Sequence, residues 1–488
     1  MTALLDIDAW NGRLALGGRI AAGRGGIRTV VCPADGSSLG TIGVAGAEDV
    51  DDAVAAGRAA QRAWADAPFD DRARVFRAAG ALLEQHADEY ARWLVGEAGS
   101  GRGKAAFEVG LVASELHHAA ALALAPTGRI LRSAKPRLSL AQQVPVGVVG
   151  VISPFNFPGI LAMRSVAPAL ALGNAVVLKP DPRTAVSGGL FLAALLTEAG
   201  LPEGLLSVLP GGAEVGGRLV EHPDVRVISF TGSTAAGRRI GETAGRLLKR
   251  AHLELGGNNA LVVLDDVDVD AAVSAGAWGS FLHQGQICMT TGRHVVAASV
   301  YDRYVEGLAA AADRLPVGDP RTSDVPLGPI IDEHQRDHVH ELVTASVDAG
   351  ARLAAGGTYD GLFYRPTVLA EVRPDHRAFA EEVFGPVAPV LRFDGEDELV
   401  DIVNRSEYGL SLGILTKDVM RGLRLAERLP SGIVHINDQT VDDESVAPFG
   451  GVAASGTGVR FGGFESNAEA FTETRWITAQ GDIERYPF

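Results

Sequence analysis

Short, almost uninterrupted apolar runs recur through the middle of the chain, each closed by turn chemistry. Residues 147–152 read GVVGVI and stop at SPFNFPG. Residues 174–178 read NAVVL and stop at Lys179-Pro180, and residues 206–209 and 225–230 (VRVISF) follow. Runs this short with no polar alternation suit strands buried on both faces of a parallel sheet. Between them the pattern turns helical, over 161–171, over 184–199, after Pro210-Gly211-Gly212, and from TGSTAAG through Leu248. A strand–helix alternation repeating about every 25 residues predicts a doubly wound α/β domain. A second α/β set is expected to start at 252–264 (HLELGGNNALVVL). Helices over 270–281 and 300–312 and strands over 293–297, 388–393, 411–415 and 432–436 continue it.

The flanks read differently. The first forty or so residues combine β-rich stretches with turns. Val50, Val54, Ala55, Ala59 and Trp64, then Phe76, Ala79, Leu82 and Leu83, recur at helical spacing on either side of Pro68, and predict two helices between 47 and 97. Another helix is expected over 104–125. Residues 126–143 mix Arg129, Arg132, Lys135 and Arg137 with Ile130, Leu131, Leu138 and Leu140, which fits either a protruding strand pair or a solvated basic hairpin. The terminal stretch 471–480 (FTETRWITAQ) reads as a strand far from any partner in sequence, so a partner in another subunit is expected.

Size and charge narrow the classes. At 488 residues the chain exceeds the reach of one hydrophobic core, so two or more domains are expected. A net charge of −16 disfavours nucleic acid and anionic membranes as partners, since phosphate binding needs clustered Lys and Arg. Two cysteines make no disulfide framework and imply a reducing compartment. The start, MTALLDIDAWNG, lacks the charged and apolar regions of a signal peptide. The longest apolar region, 147–178, is broken by Pro154, Asn156, Pro158, Arg164, Pro168 and Asn174. A cytoplasmic protein without a membrane span is expected.

Ligands of open parallel sheets bind beyond the carboxyl ends of the strands. Asn156, Lys179, Gly211-Gly212 and Gly232-Ser233 all fall there. GSTAAG has the glycine spacing of a phosphate loop but Arg238-Arg239 in place of Lys-Ser/Thr, so an NTPase is disfavoured, although a glycine turn opening a helix still offers N–H groups to a pyrophosphate. Lys179 is either such a ligand or a snorkelling lysine. Cys288, in FLHQGQICMTT, is either a nucleophile in a shaped pocket or a small buried residue. Glu254, between Leu253 and Leu255-Gly256-Gly257, is either a general base raised in pKa by apolar neighbours or a capping or paired carboxylate. His334, His338 and His340 are expected on a solvated helix face rather than on a metal, and His283 is expected to pack rather than to act as a base.

The ordered segments PFNFP (154–158), LKP (178–180), FTGST (230–234), ELGG (254–257), GQIC (285–288), EEVFGP (381–386) and PFGG (448–451) resemble the NAD(P)-dependent aldehyde dehydrogenase superfamily over essentially the whole chain. The 34 residues between Glu254 and Cys288 fit a typical family interval. Within it, HQGQICMTTGRH, NDQTVDDE and the WITAQ…YPF tail look most like benzaldehyde and vanillin dehydrogenases. The resemblance implies two Rossmann-like α/β domains and a small β oligomerisation element. Residues 1–125 and 144–253 would bind dinucleotide, 254–452 would carry the nucleophilic cysteine, and 126–143 with 453–488 would form the oligomerisation element of a homodimer or homotetramer.

It also implies roles. Cys288 would be the nucleophile, Asn156 with the Cys288 N–H the oxyanion donor, and Glu254 the base that activates water. NAD or NADP would be held by Lys179, Phe230, Gly232, Ser233, Glu382 and Phe384, and no metal is expected. Phe157, Ile287, Met289 and Phe449 would form an apolar tunnel for a planar ring, with ordinary core packing as the other reading of these four. The implied substrate is a small aldehyde, aromatic by the narrower resemblance. Aliphatic aldehydes or semialdehydes are the alternative, with Arg164 meeting a substrate carboxylate, and a non-catalytic nucleotide-binding protein is the remote one. A coenzyme A-acylating variant is disfavoured because Glu254 supplies the hydrolytic base. The chain departs from the family at three places. Pro182 replaces a glutamate that binds adenosine ribose in NAD-preferring members, with Arg183 beside it, so use of both cofactors is expected. Phe155 replaces a common tryptophan. Ala453 replaces a common lysine, with no implied consequence.

Overall fold

A computed structural model describes residues 3–488. Met1 and Thr2, at the head of the segment read as lacking a signal peptide, lie outside the described residues.

The apolar runs form the centre of a seven-stranded sheet. Its order is Arg250–Glu254, Val225–Thr231, Val148–Ile152, Ala175–Lys179, Leu206–Val208, Arg13–Leu16 and Arg19–Ala22. The first five are parallel, and the two N-terminal strands add an antiparallel edge. Val148–Ile152 and Ala175–Lys179 are buried along their whole length, which is why they carry no polar alternation. Parallel pairing brings Asn156, Lys179 and Ser233 to one edge.

A second seven-stranded sheet runs Arg352–Ala355, Thr367–Ala370, Val387–Phe393, Thr291–Ala297, Asn259–Val263, Ser411–Leu415 and Ile433–Ile436, with only the first pair antiparallel. Each sheet has its own apolar core. The segment HLELGGNNALVVL does not begin the second sheet as expected. Its first residues complete the edge strand of the first sheet, with Glu254 opposite Thr231, and Asn259–Val263 opens the second. Glu254 therefore sits where the chain crosses between the sheets.

Other details depart from the periodicity. The expected helix pair over 47–97 is three helices, Ala47–Ala65, Phe69–Gln85 and Ala87–Ala98, because His86 leaves the helical region (φ −104°, ψ 19°). The helix expected from 184 opens with a π-helical turn, Val186–Leu190. The buried Glu97 carboxylate accepts from Val186 N, Ser187 N and Ser187 Oγ there, so a side chain from another helix satisfies the opening turn. Gly128–Ile130, Leu138–Pro145 and Thr472–Ala479 form a third, three-stranded sheet. The terminal strand finds a partner inside the chain, Thr472 opposite Pro145 through Ala479 opposite Leu138, and stands at the edge of this sheet.

Candidate active site

Cys288 follows the helix Val269–Phe281 through a tight turn, Leu282–Gly285. His283 (φ 50°), Gln284 (φ 56°) and Gly285 (φ 67°) are all left-handed, a conformation that costs non-glycine residues about 1–3 kcal/mol each. Position 285 admits only glycine: a Cβ there would lie 2.0 Å from the Gly385 carbonyl oxygen. Side chains of the turn and of Asn259 tie it to backbone of both halves. Gln284 Nε2 donates to the carbonyls of Gly99 (3.0 Å) and Pro329 (2.7 Å), and Gln286 Oε1 accepts from Ile331 N (3.0 Å). Asn259 Nδ2 donates to the carbonyls of Cys288 and Thr290, both at 2.8 Å. Gln284 and Gln286, on either side of Gly285, are thus scaffolding. His283 packs edge-on against Phe157 at 5.7 Å, and its ring nitrogens have no hydrogen-bond partner among the described residues.

Cys288 lies where two cavities meet, and Asn156 and Leu161 line both with it. Asn156 is buried, and its Oδ1 has no partner. Its backbone is fixed by a pair that the sequence did not reveal. On the helix Arg102–Leu122, Lys104 Nζ donates to Asn156 O (2.8 Å), Ser100 Oγ (3.1 Å) and Glu108 Oε2 (2.6 Å). Glu108 Oε1 accepts from Gly159 N (2.8 Å) and Ile160 N (3.3 Å), capping the helix Pro158–Ala171, which has no cap of its own. An i,i+4 Lys–Glu pair reads in sequence as a solvated helix face, yet both residues are buried. Lys104→Met should cost about 3–5 kcal/mol by leaving the buried Glu108 without its counter-charge. Lys104→Met with Glu108→Gln should recover part of the loss, and denaturant midpoints of the two variants check this.

The larger of the two cavities follows the strand ends of the first sheet. Lys179, Phe230, Gly232, Ser233, Glu382 and Phe384 all line it, whereas Gly211-Gly212 do not. Lys179 is buried, makes no ion pair among the described residues, and is lowered in pKa by burial. A lone buried cation on a cleft wall fits an anionic, hydroxyl-rich ligand such as a dinucleotide. Gly232 fits the same role, since a Cβ there would strike the Phe230 ring at 2.5 Å. Ser233 caps the helix Thr234–Arg246 through Ala236 N. Glu382 Oε1 accepts from Gly257 N at 2.9 Å, and burial pushes its carboxyl up to about 7. Arg183 is not free for a second phosphate: it pairs with Asp181 and Asp332 and lies 4.2 Å from the Phe155 ring centroid. Asp181 also lines the cavity, so the carboxylate missing at Pro182 stands one residue earlier. Nor is the histidine helix a solvated face throughout. His334 and His338 line this cavity, and His340 packs against Tyr359 and Tyr364, because Glu333–Asp348 lies along the cleft.

The other cavity is apolar. Phe157, Ile287, Met289 and Phe449 all line it, and each also packs into the first core. Arg164 and Asp443 line it as well. Arg164 was a candidate for a substrate carboxylate, but its Nη2 donates to Asp443 Oδ2 and its charge is already met. Glu254 lines neither cavity. Its Oε2 accepts from Gly451 N (3.2 Å) and its Oε1 is buried without a partner. Burial pushes Glu254 up to about 8, with the Gly451 N–H, Arg164 and Arg460 opposing. Burial pushes the Cys288 thiol up to about 12, with Glu382 and Glu254 adding to the rise and Arg164 pulling it back.

The aldehyde dehydrogenase family profile matches residues 21–477. The vanillin dehydrogenase of an Amycolatopsis species is 62% identical over 486 residues, covering 100% of both chains. The benzaldehyde dehydrogenase (NAD+) of Pseudomonas putida is 50% identical over 480 residues, covering 98% of each. The structure of an aldehyde dehydrogenase from Bacillus cereus in complex with NAD+ superposes with a TM-score of 0.92 at 32% identity, covering 96% of each chain. Two Rossmann-like sheets, a cysteine between an apolar pocket and a strand-end cleft, and these similarities lead to one conclusion: the chain belongs to the aldehyde dehydrogenase family and is an NAD(P)-dependent oxidoreductase of aldehydes.

Proposed function

We propose that the chain oxidises an aromatic aldehyde to its carboxylic acid, with Cys288 as nucleophile, Asn156 as oxyanion donor and Glu254 as hydrolytic base. The observation that carries this reading is the position of Cys288 and Asn156 on the shared wall of an apolar pocket and a strand-end cleft. The aldehyde enters from the apolar side, its ring among Phe157, Ile287, Met289 and Phe449. The Cys288 sulfur bonds to the carbonyl carbon as its thiol proton passes to water in the cleft, a loss that the Arg164 charge favours, and the electron pair of the C=O bond moves to oxygen. The Asn156 side-chain N–H and the Cys288 N–H receive that oxyanion. The two-electron oxidation is what NAD(P)+ supplies when bound: the carbon loses its hydride and a thioester stands on Cys288. Glu254 then takes a proton from water as the water oxygen bonds to the thioester carbon. The C–S bond breaks, the sulfur leaves as thiolate, and the acid departs. Lys179, Phe230, Gly232, Ser233, Glu382 and Phe384 hold the dinucleotide in this scheme.

The relatives named for vanillin and benzaldehyde support the aromatic reading. The Arg164–Asp443 pair counts against the semialdehyde alternative, since an incoming carboxylate would meet Asp443. NAD(P)H formation should therefore run at least about tenfold higher in kcat/KM with benzaldehyde than with succinic semialdehyde. The reverse preference would overturn the aromatic assignment.

We also infer a cytoplasmic homodimer or homotetramer. Exposed Ile130, Leu138 and Trp476 on the three-stranded sheet support association through the element formed by 126–143 and 453–488. The two sheets support a division into a dinucleotide-binding part, 1–125 and 144–253, and a catalytic part, 254–452. Among the described residues no helix is long and apolar enough to cross a membrane.

A further inference from the structure

Four lysines and arginines are buried among the described residues, and three of them have an evident counterpart. Lys104 pairs with Glu108, Arg164 pairs with Asp443, and Lys179 lines the strand-end cleft. Arg293, on the strand Thr291–Ala297, is 4% exposed, makes no ion pair among the described residues and does not reach that cleft. Its Nε donates to Asn258 O (2.8 Å), and its Nη1 to Val403 O (3.0 Å) and Ile402 O (3.5 Å), which leaves Nη2 over. Burial, with no carboxylate to offset it, pulls the guanidinium down to about 10.

Arg293 lines a cavity of about 120 Å³, walled also by Asn258, Asn404, Ser406, Ser411 and Ser431. This cavity shares no residue with the apolar pocket or the strand-end cleft. Two polar atoms of its wall residues, Asn258 Oδ1 and Ser431 Oγ, are buried without a hydrogen-bond partner. A buried charge with no counter-charge is costly, and one kept beside a polar cavity points to an anion that enters it. Water could take up the spare hydrogen bonds but would leave the charge unmet. Size narrows the class. A cavity of about 150 Å³ holds the six carbons of benzene, so this one admits about five heavy atoms. That excludes a dinucleotide or an aromatic acid and fits a small oxyanion. Ser431 Oγ can donate to it beside Nη2, whereas Asn258 Oδ1 can only accept and so favours an oxyanion that bears a hydrogen.

We propose that this cavity is a second ligand site, in which Arg293, Asn258 and Ser431 bind a small oxyanion of the hydrogen phosphate or bicarbonate type. The oxyanion accepts from Arg293 Nη2 and Ser431 Oγ and donates to Asn258 Oδ1. The site stands apart from the oxidation and does not depend on which aldehyde is the substrate.

The test is equilibrium dialysis of the NAD+-saturated enzyme against labelled inorganic phosphate and, separately, labelled bicarbonate. Saturation with NAD+ keeps the anion off the Lys179 cleft. One anion per chain is expected, with a Kd of about 1 mM or below for the better of the two, which then identifies the occupant. Sulfate has the shape of phosphate but no hydrogen at neutral pH, and should compete at least about tenfold more weakly than phosphate. Arg293→Met should weaken binding at least about tenfold, and so should Ser431→Leu, which puts a larger apolar side chain on the cavity wall. Ser431 is only partly buried, so Ser431→Leu decides should Arg293→Met fail to fold. Should both fail, arsenate soaked into crystals of the wild type decides: an anomalous peak within about 4 Å of Arg293 Nη2, or the proposal fails. Neither anion bound at about 20 mM, binding that disappears when NAD+ is added, or binding unchanged in Ser431→Leu overturns the site. Competition by sulfate as strong as by phosphate overturns the hydrogen-bearing class.

Discussion

Cys288→Ala is expected to lower steady-state NAD(P)H formation by about 10⁴-fold or more while leaving the unfolding midpoint close to the wild type. The large effect follows because the sulfur forms the bond that every later step depends on. The small structural effect follows because the turn is held by other groups. Gln284, Gln286 and Asn259 anchor its carbonyls and neighbours, and none of these contacts uses the sulfur. Cys32→Ser is the matched control. Cys32 lines a different cavity, with Asp35, Pro182 and Asp332, and its loss should leave the rate within about twofold. Initial rates with both variants check the assignment, and a Cys288→Ala enzyme keeping more than a few per cent of kcat would refute it.

The parts of this site that could be read in sequence are those fixed by position along a strand. GVVGVI and NAVVL, and VRVISF apart from the exposed Arg226, are apolar because both faces of their strands are covered. Once they are placed, the residues that follow each one fall at the ligand-binding edge of a parallel sheet. Asn156, Lys179 and Ser233 were found that way. Glu254 and Cys288 were ambiguous until the resemblance set them in order, since a lone carboxylate or thiol in apolar company has several uses. Contacts made across the chain were invisible. Lys104 and Glu108 look like a surface pair, and the packing of their helix against Phe69–Gln85, Ala87–Ala98 and Pro158–Ala171 buries them. Arg164 looked like a free cation because Asp443 is so distant in sequence. The left-handed His283 and Gln284 carry no composition signal either, because neighbouring contacts impose the strain on residues that disfavour it. The terminal strand was recognisable as a strand, but its pairing with Leu138–Pro145 is tertiary.

Glu254→Gln should separate the two halves of the reaction. Glu254 ends its strand buried, with one oxygen on the Gly451 N–H and the other without a partner, and burial pushes its carboxyl up to about 8. The proton-accepting form is therefore the minor one at neutral pH, about a tenth of the population at pH 7, and it becomes the major form above about 8. Thioester hydrolysis should rise close to tenfold per pH unit below that point and level off above it. The glutamine keeps the shape and an acceptor for Gly451 but cannot take a proton. Hydride loss and thioester formation do not call on this group, so the variant should give a burst of NAD(P)H close to one per active site. Steady-state turnover should then fall by about 10²–10⁴-fold and lose its rise through pH 8. Stopped-flow absorbance gives the burst and the pH series gives the slope. A variant that cycles at the wild-type rate, or slows with no burst, would mean that the water is activated elsewhere. A slope that survives the substitution would move the titrating group to another residue, and Glu382, which burial holds at about 7 beside Gly257, would be the next to replace.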